Sequence, residues 1–101
     1  MNISAIDTSY RSADQHVTAV ITHRVRTGRQ EGYETWIKGI SAAARKFSGH
    51  LGVSILRPQP EAAPDYVIVL QFDTCNHLTA WLQSDVRKDW IDRVQPLIQE
   101  Q

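Results

Sequence analysis

Four histidines, three tryptophans, three tyrosines and a single cysteine are the side chains in this sequence from which a site is most readily built. His23 is the leading candidate. Imidazole titrates near neutral pH, which suits a general base. It would take a proton from a bound substrate. The same position also reads as the end of an exposed strand beside Arg24. Trp81 offers a flat face on which an aromatic ligand could stack. Its spacing from Leu78 and Leu82 makes it a core residue as well, and a core can continue into a pocket wall. Tyr66 either directs its hydroxyl into a pocket or anchors a rim. His50, directly after Gly49, sits at a helix-to-strand turn, either at a cavity mouth or on the surface. These four are the candidate site residues: His23 as catalytic, and Trp81, Tyr66 and His50 as ligand-binding.

Other chemistries find little support. The histidines lack tight ligand spacing and no carboxylate completes a recognisable triad with two of them, so no metal site is predicted. Cys75 is alone, which excludes an intramolecular disulfide and a multi-thiolate zinc site and fits a reducing compartment. It falls in a helix first turn, where a thiol can become acidic, but nothing nearby completes a Cys–His pair. Arg24, Arg26 and Arg29 cluster near one strand–helix junction, as an attractor for an anion or simply as a solvated face. Acidic and basic residues balance at 11 each. Without a basic excess to neutralise phosphates, nucleic acid is not an expected partner. The longest apolar run, Tyr66 to Leu70, is far too short for a bilayer, and the N-terminal stretch has no signal-peptide pattern. A cytoplasmic protein with no membrane partner and no cofactor is the expectation.

The elements that must position these residues follow from periodicity. The chain has the length of one domain, with residues 1–15 as a polar arm and 16–98 as the folded unit. Val17 to Arg26 is rich in β-branched residues and predicts a strand. Thr27-Gly28-Arg29-Gln30 matches a capping box, Thr27 being the N-cap. Tyr33, Trp36, Ile37, Ile40, Ala44 and Phe47 then make a helical stripe. Gly49 suits the left-handed position that ends it. Leu51, Val53 and Ile55 predict a second strand, and Tyr66 to Phe72 a third. Pro58, Pro60 and Pro64 keep the connection irregular. Asp73 or Thr74 caps the next helix, which turns Leu78, Trp81 and Leu82 inward. Ser84-Asp85 reads as a fresh N-cap, predicting a separate helix with Val86, Trp90, Ile91 and Val94 inward. Pro96 ends or kinks it, and Leu97-Ile98 form an apolar tail.

Strand, helix, strand, strand, helix is most of an α+β ferredoxin-like sandwich. The fourth strand is unassigned; the N-terminal arm or a partner chain could supply it. The third strand is apolar on both faces: Tyr66, Ile68, Leu70 and Phe72 on one, Val67 and Val69 on the other. Two helices cover one face of a small sheet, and a bare apolar face favours burial against a second copy. A homodimer is the expectation.

Val17 to Arg29, the helix through Trp36 to Phe47, Gly49-His50-Leu51-Gly52-Val53, Tyr66 to Asp73 and the segment Leu78 to Val86 together resemble the antibiotic biosynthesis monooxygenase superfamily. Trp81-Leu-Gln-Ser-Asp-Val86 is the most specific part of the likeness. The resemblance implies a dimeric α+β barrel of ferredoxin-like subunits, each with a pocket between sheet and helices. It implies one of two known chemistries. One branch oxidises phenolic intermediates to quinones with dioxygen, without metal or flavin. The other degrades haem with a counterpart of Trp81, an Asn on the first strand, and an axial His ten residues after the Trp. Here that last position is Ile91, and Thr22 or His23 stands where the Asn would fall, so haem degradation is set aside. Two functional readings remain. One is a cofactor-independent monooxygenase-like enzyme for a small aromatic or quinol-type compound. The other is a non-catalytic dimeric module that binds a small hydrophobic molecule.

Overall fold

A computed structural model describes residues 16–59 and 62–99. The elements run β1 Val17–His23, α1 Gln30–Arg45, β2 His50–Leu56, β3 Tyr66–Phe72, α2 Cys75–Leu82 and α3 Asp85–Val94, then a 3₁₀ turn Gln95–Leu97. The predicted arm at residues 1–15 lies outside the described residues. β3 occupies the centre of a three-stranded sheet of order β1-β3-β2. It pairs antiparallel with both neighbours, Val17 opposite Phe72 on one side and Leu56 opposite Val67 on the other. β1 and β2 are therefore parallel, joined through α1 across the sheet. This is the α+β ferredoxin-like arrangement that the strand–helix order predicts.

Alternation decides which side chains enter the core. Tyr66, Ile68, Leu70 and Phe72 of β3 are all buried under the helices. From α1, Tyr33, Trp36, Ile37 and Ala44 meet them, as the three- and four-residue spacing requires. The core forms two clusters. One gathers Tyr33, Trp36, Ile37, Tyr66, Ile68 and Val94. The other gathers Ala44, Leu70, Phe72 and Trp81. Ile40 and Val53 pack against both.

Several boundaries differ from the sequence expectation. β1 stops at His23, three residues short of Arg26. Val25 instead bridges Ile98, while Arg26 N–H donates to Leu97 O and Gln99 N–H to Arg24 O, at 2.9 and 2.8 Å. Residues 97–99 thus occupy part of the fourth-strand position beside the continuation of β1. The α1 N-cap is Arg29, not Thr27, and no side chain caps it. Gly28 adopts φ 85°, a turn conformation that separates Thr27 from the helix. Gln30 Oε1 still reaches back, accepting from Gly28 N–H at 3.1 Å.

The predicted break between α2 and α3 is present. Thr74 Oγ1 accepts from His77 N–H and Ser84 Oγ from Arg87 N–H, each at 3.1 Å. Leu82 and Val86 are not inward as expected; they are 36% and 43% exposed. Trp81 takes the core-facing position of α2, and the next residue lies about 100° around the helix. On α3 the inward row is Arg87, Ile91 and Val94, so Val86 falls outside it. Gly49 has the expected positive φ, 84°, but three residues past the helix cap at Lys46.

α1 and α3 approach closely at Gly39. A Cβ there would overlap the Trp90 ring, which is also held by its own carbonyl, the acceptor for Trp36 Nε1–H at 2.6 Å. In an unconstrained helix Gly→Ala stabilises by about 1 kcal/mol. Here overpacking reverses the sign. Gly39→Ala is expected to cost roughly 1–3 kcal/mol, read as a lower Tm in thermal denaturation. A raised Tm would place Trp90 elsewhere.

Candidate functional site

The seam between the two core clusters is incompletely filled. It leaves an apolar cavity of about 40 Å³. Ile21, Ile40 and Leu70 contribute aliphatic wall, and Trp36 and Trp81 contribute aromatic wall. Among the described residues, His23, Ser41 and Arg87 bring its polar groups.

His23 reaches the cavity because β1 alternates. Ile21 and His23 turn toward the helices, while Val20 and Thr22 turn out. The imidazole lies edge-on to Tyr33 and inclined to Trp36, with ring centroids 5.8 Å away in both cases. Its Nδ1 is 2.8 Å from the Tyr33 hydroxyl. Its Nε2 has no hydrogen-bond partner among the described residues. Burial disfavours the imidazolium and lowers the His23 pKa below the ordinary 6.5. Burial likewise pushes the Tyr33 phenol far above its usual range, with the Tyr66 and Glu34 charges adding to the shift.

Trp81 also lies on the cavity, 2% exposed, with Phe47 edge-on at 5.0 Å. The other two candidates do not line it. Tyr66 packs beside Tyr33 at 4.4 Å between centroids, but its hydroxyl donates to Glu34 Oε2 at 2.7 Å. Burial and that bond push the Tyr66 pKa up to about 12. Glu34 is engaged in turn by the Arg57 guanidinium, two bonds of 2.9 Å, which holds its carboxyl below the usual range. His50 packs edge-on to Phe72 at 5.5 Å, and its buried Nε2 has no partner among the described residues. The structure thus brings His23 and Trp81 together and leaves Tyr66 and His50 behind the walls.

Sequence reasoning missed Arg87 and Tyr33. Arg87 brings a cation to an otherwise apolar seam, and its guanidinium also donates to Leu82 O at 3.4 Å. Its signal was present: Arg87, Ile91 and Val94 stand at i, i+4 and i+7, one face of a helix. The Tyr33–His23 bond joins a strand end to a helix start and leaves no spacing signature. The described residues hold no group of three or more His, Cys, Asp or Glu that could bind a metal. None of their helices is long and apolar enough to cross a membrane.

A family model described as antibiotic biosynthesis monooxygenase matches residues 16–93. The chain belongs to this family. It is 33% identical over 79 residues to an uncharacterized protein of Synechococcus elongatus, a match spanning 78% of this chain and 38% of that protein. The chain therefore covers well under half of that relative. Among solved structures, it is similar to SnoaB, a cofactor-independent oxygenase from Streptomyces nogalater (TM-score 0.73, 16% identity, 86% of this chain and 87% of that one). A candidate antibiotic biosynthesis monooxygenase of Nitrosomonas europaea gives TM-score 0.73 at 17% identity, over 92% and 88% of the two chains. At these identities the structural likeness speaks for the fold. Ile91, which the sequence resemblance sets opposite the haem branch's axial His, lines the cavity.

Burial of His23 and His50 has a consequence for stability. Both are held below 6.5 by desolvation, His50 also by Arg45. In acid the unfolded chain binds protons that the folded chain resists. Stability is therefore full above about pH 6.5 and is lost as pH falls through the window below it. Melting curves from about pH 8 to about pH 5 are expected to show this decline. His23→Gln should flatten part of it. An unchanged acid slope would mean that His23 is solvated.

Proposed function

We propose that this chain is a cofactor-independent monooxygenase-like enzyme acting on a small aromatic or quinol-type compound. The observation that carries this reading is the cavity itself: two indole walls, aliphatic packing and, among the described residues, His23, Ser41 and Arg87 as polar groups. A flat ring fits such walls, and a ring-borne oxygen has His23 and Arg87 to meet. The limited free volume favours a single ring. His23 serves as base or as hydrogen-bonding orienter, and Trp81 lines the pocket.

The reaction balances without an external reductant. A phenol that becomes a para-quinone gives up four electrons. One atom of dioxygen enters the ring as the second carbonyl oxygen, and the other leaves as water with the two hydrogens removed.

A second reading is a binding module that sequesters a hydrophobic molecule without turnover. Three paired carboxylates favour it, because each is engaged elsewhere. Glu34 is paired with Arg57, Asp65 with Arg24 and Asp73 with His77. None forms an acid–base pair with His23.

The subunit is proposed to work as a homodimer through the outer face of the sheet. Val20 and Leu56 are 61% and 57% exposed there, flanking Val67 and Val69 of β3. Light scattering should give twice the chain mass, and Val69→Glu should give the single-chain mass. A wild-type monomer at high concentration would remove the dimer.

Activity is tested by oxygen uptake with small monophenols and hydroquinones. Wild type should exceed His23→Ala by roughly 100-fold, the scale of a lost proton-transfer or oxyanion-stabilising group. Equal uptake by both removes His23 from the chemistry. Ligand-dependent Tm shifts with no uptake by either establish the sequestering module.

A further inference from the structure

We propose that Tyr33 is a positioning residue that fixes His23 as its Nε2–H tautomer, so that His23 and Arg87 both face the cavity as donors and select a ring-borne oxyanion. This deepens the functional reading above and rests on the same cavity.

The argument is a count of protons. Tyr33 is fully buried. Its hydroxyl has one hydrogen-bond partner among the described residues, His23 Nδ1 at 2.8 Å. A buried O–H that donates to nothing costs about 1–3 kcal/mol. The hydroxyl avoids this by donating to Nδ1. That nitrogen must then be bare. A neutral imidazole carries one proton, so the proton is on Nε2. The opposite tautomer would set Nδ1–H against the phenol oxygen and strand the phenol proton. Imidazolium would strand it as well.

The consequence reverses the simplest role for His23. In this tautomer Nε2 is a donor and has no lone pair for a substrate proton. It can hydrogen-bond an oxygen that has already lost its proton. The groups around it agree. From α1 it meets Tyr33, whose proton is committed to Nδ1. Across the strand pair stands Tyr66, whose proton goes to Glu34. α3 adds the Arg87 cation to the same cavity, and Arg24, the next residue in the chain, is paired with Asp65. Among the described residues no carboxylate lines the cavity. A phenolate meets donors at His23 and Arg87, whereas a neutral phenol finds no committed acceptor for its proton. Ser41 can adapt to either. Substrate would therefore enter ionised, and His23 would hold its oxygen while the ring reacts.

Two measurements on the full chain test this. The first is a histidine two-bond ¹H–¹⁵N correlation spectrum at neutral pH. Wild type should show His23 with protonated Nε2 and bare Nδ1. Tyr33→Phe, which keeps the ring and removes the hydroxyl, should move both nitrogens toward averaged values. A wild-type Nδ1–H tautomer overturns the proposal, and so does an unchanged spectrum in a folded Tyr33→Phe. The second uses 4-nitrophenol, which ionises near neutral pH and whose anion is yellow. Bound dye should be the phenolate at a pH where free dye is mostly neutral. Arg87→Gln should weaken this at least severalfold. Binding of the neutral phenol, or no binding, overturns the selection. Failure here is separable from failure of the enzyme reading. Oxygen uptake lost in His23→Ala, together with an Nδ1–H tautomer, keeps the enzyme and removes this inference. Phenolate capture without uptake does the reverse.

Discussion

The inward row of β3 is the constraint on which everything else depends. Tyr66, Ile68, Leu70 and Phe72 are four large side chains on one face of one strand, and all are buried. Full burial of such a side chain contributes about 1.5–3 kcal/mol. The row together matches a large part of the roughly 5–15 kcal/mol by which small proteins are stable. β3 must therefore be central, with β1 and β2 satisfying its two edges. α1 must lie over it with Tyr33, Trp36, Ile37 and Ala44 downward. α2 and α3 then close what α1 leaves open, with Trp81 at one end and Val94 at the other.

The cavity follows from that closure. Trp36 belongs to one core cluster and Trp81 to the other. Indoles are too large and rigid to interdigitate across the seam between them, so Ile40 and Val53 bridge it without filling it. Trp36 cannot swing into the gap, because its Nε1–H is tied to the Trp90 carbonyl. Trp90 cannot move either way along α1 without leaving the slot that Gly39 opens. A void held open by anchored aromatic rings is preorganised. A ligand entering it does not have to rebuild the core.

What could be read from the sequence is what periodicity and capping encode. The β3 alternation, the α1 stripe and the Ser84 break are local patterns with one physical solution, and each is present in the fold. Trp81 and His23 on one cavity follow from the same patterns. The errors have equally definite causes. Thr27 looks like an N-cap, but Gly28 in a left-handed turn displaces the helix start to Gln30. Leu82 and Val86 look inward because they are apolar, yet Trp81 and Arg87 hold the inward positions of their turns. Tyr66 looks like a pocket donor, but a strand-to-helix bond to Glu34 takes its proton. The Tyr66 miss involves a partner far away in the sequence, and the Thr27 miss a backbone conformation set by one residue. The Leu82 and Val86 misses are of another kind: helical spacing places Trp81 and Arg87 inward, and apolarity alone pointed to their neighbours.

The same distinction governs what His23 does. Its place on the cavity wall is fixed by strand alternation alone, and any inward residue at the end of β1 would stand there. Its chemical character comes from elsewhere. Burial keeps the ring neutral, and a hydroxyl ten residues along the chain, on another element, decides which nitrogen carries the proton. A histidine in the same position with Phe in place of Tyr33 would be free to accept a proton. Within this family fold the sheet supplies the address of the polar group, and the first turn of α1 supplies its reactivity. A strand-end histidine read without its helix partner is thus an incomplete statement of chemistry, even where the fold is certain.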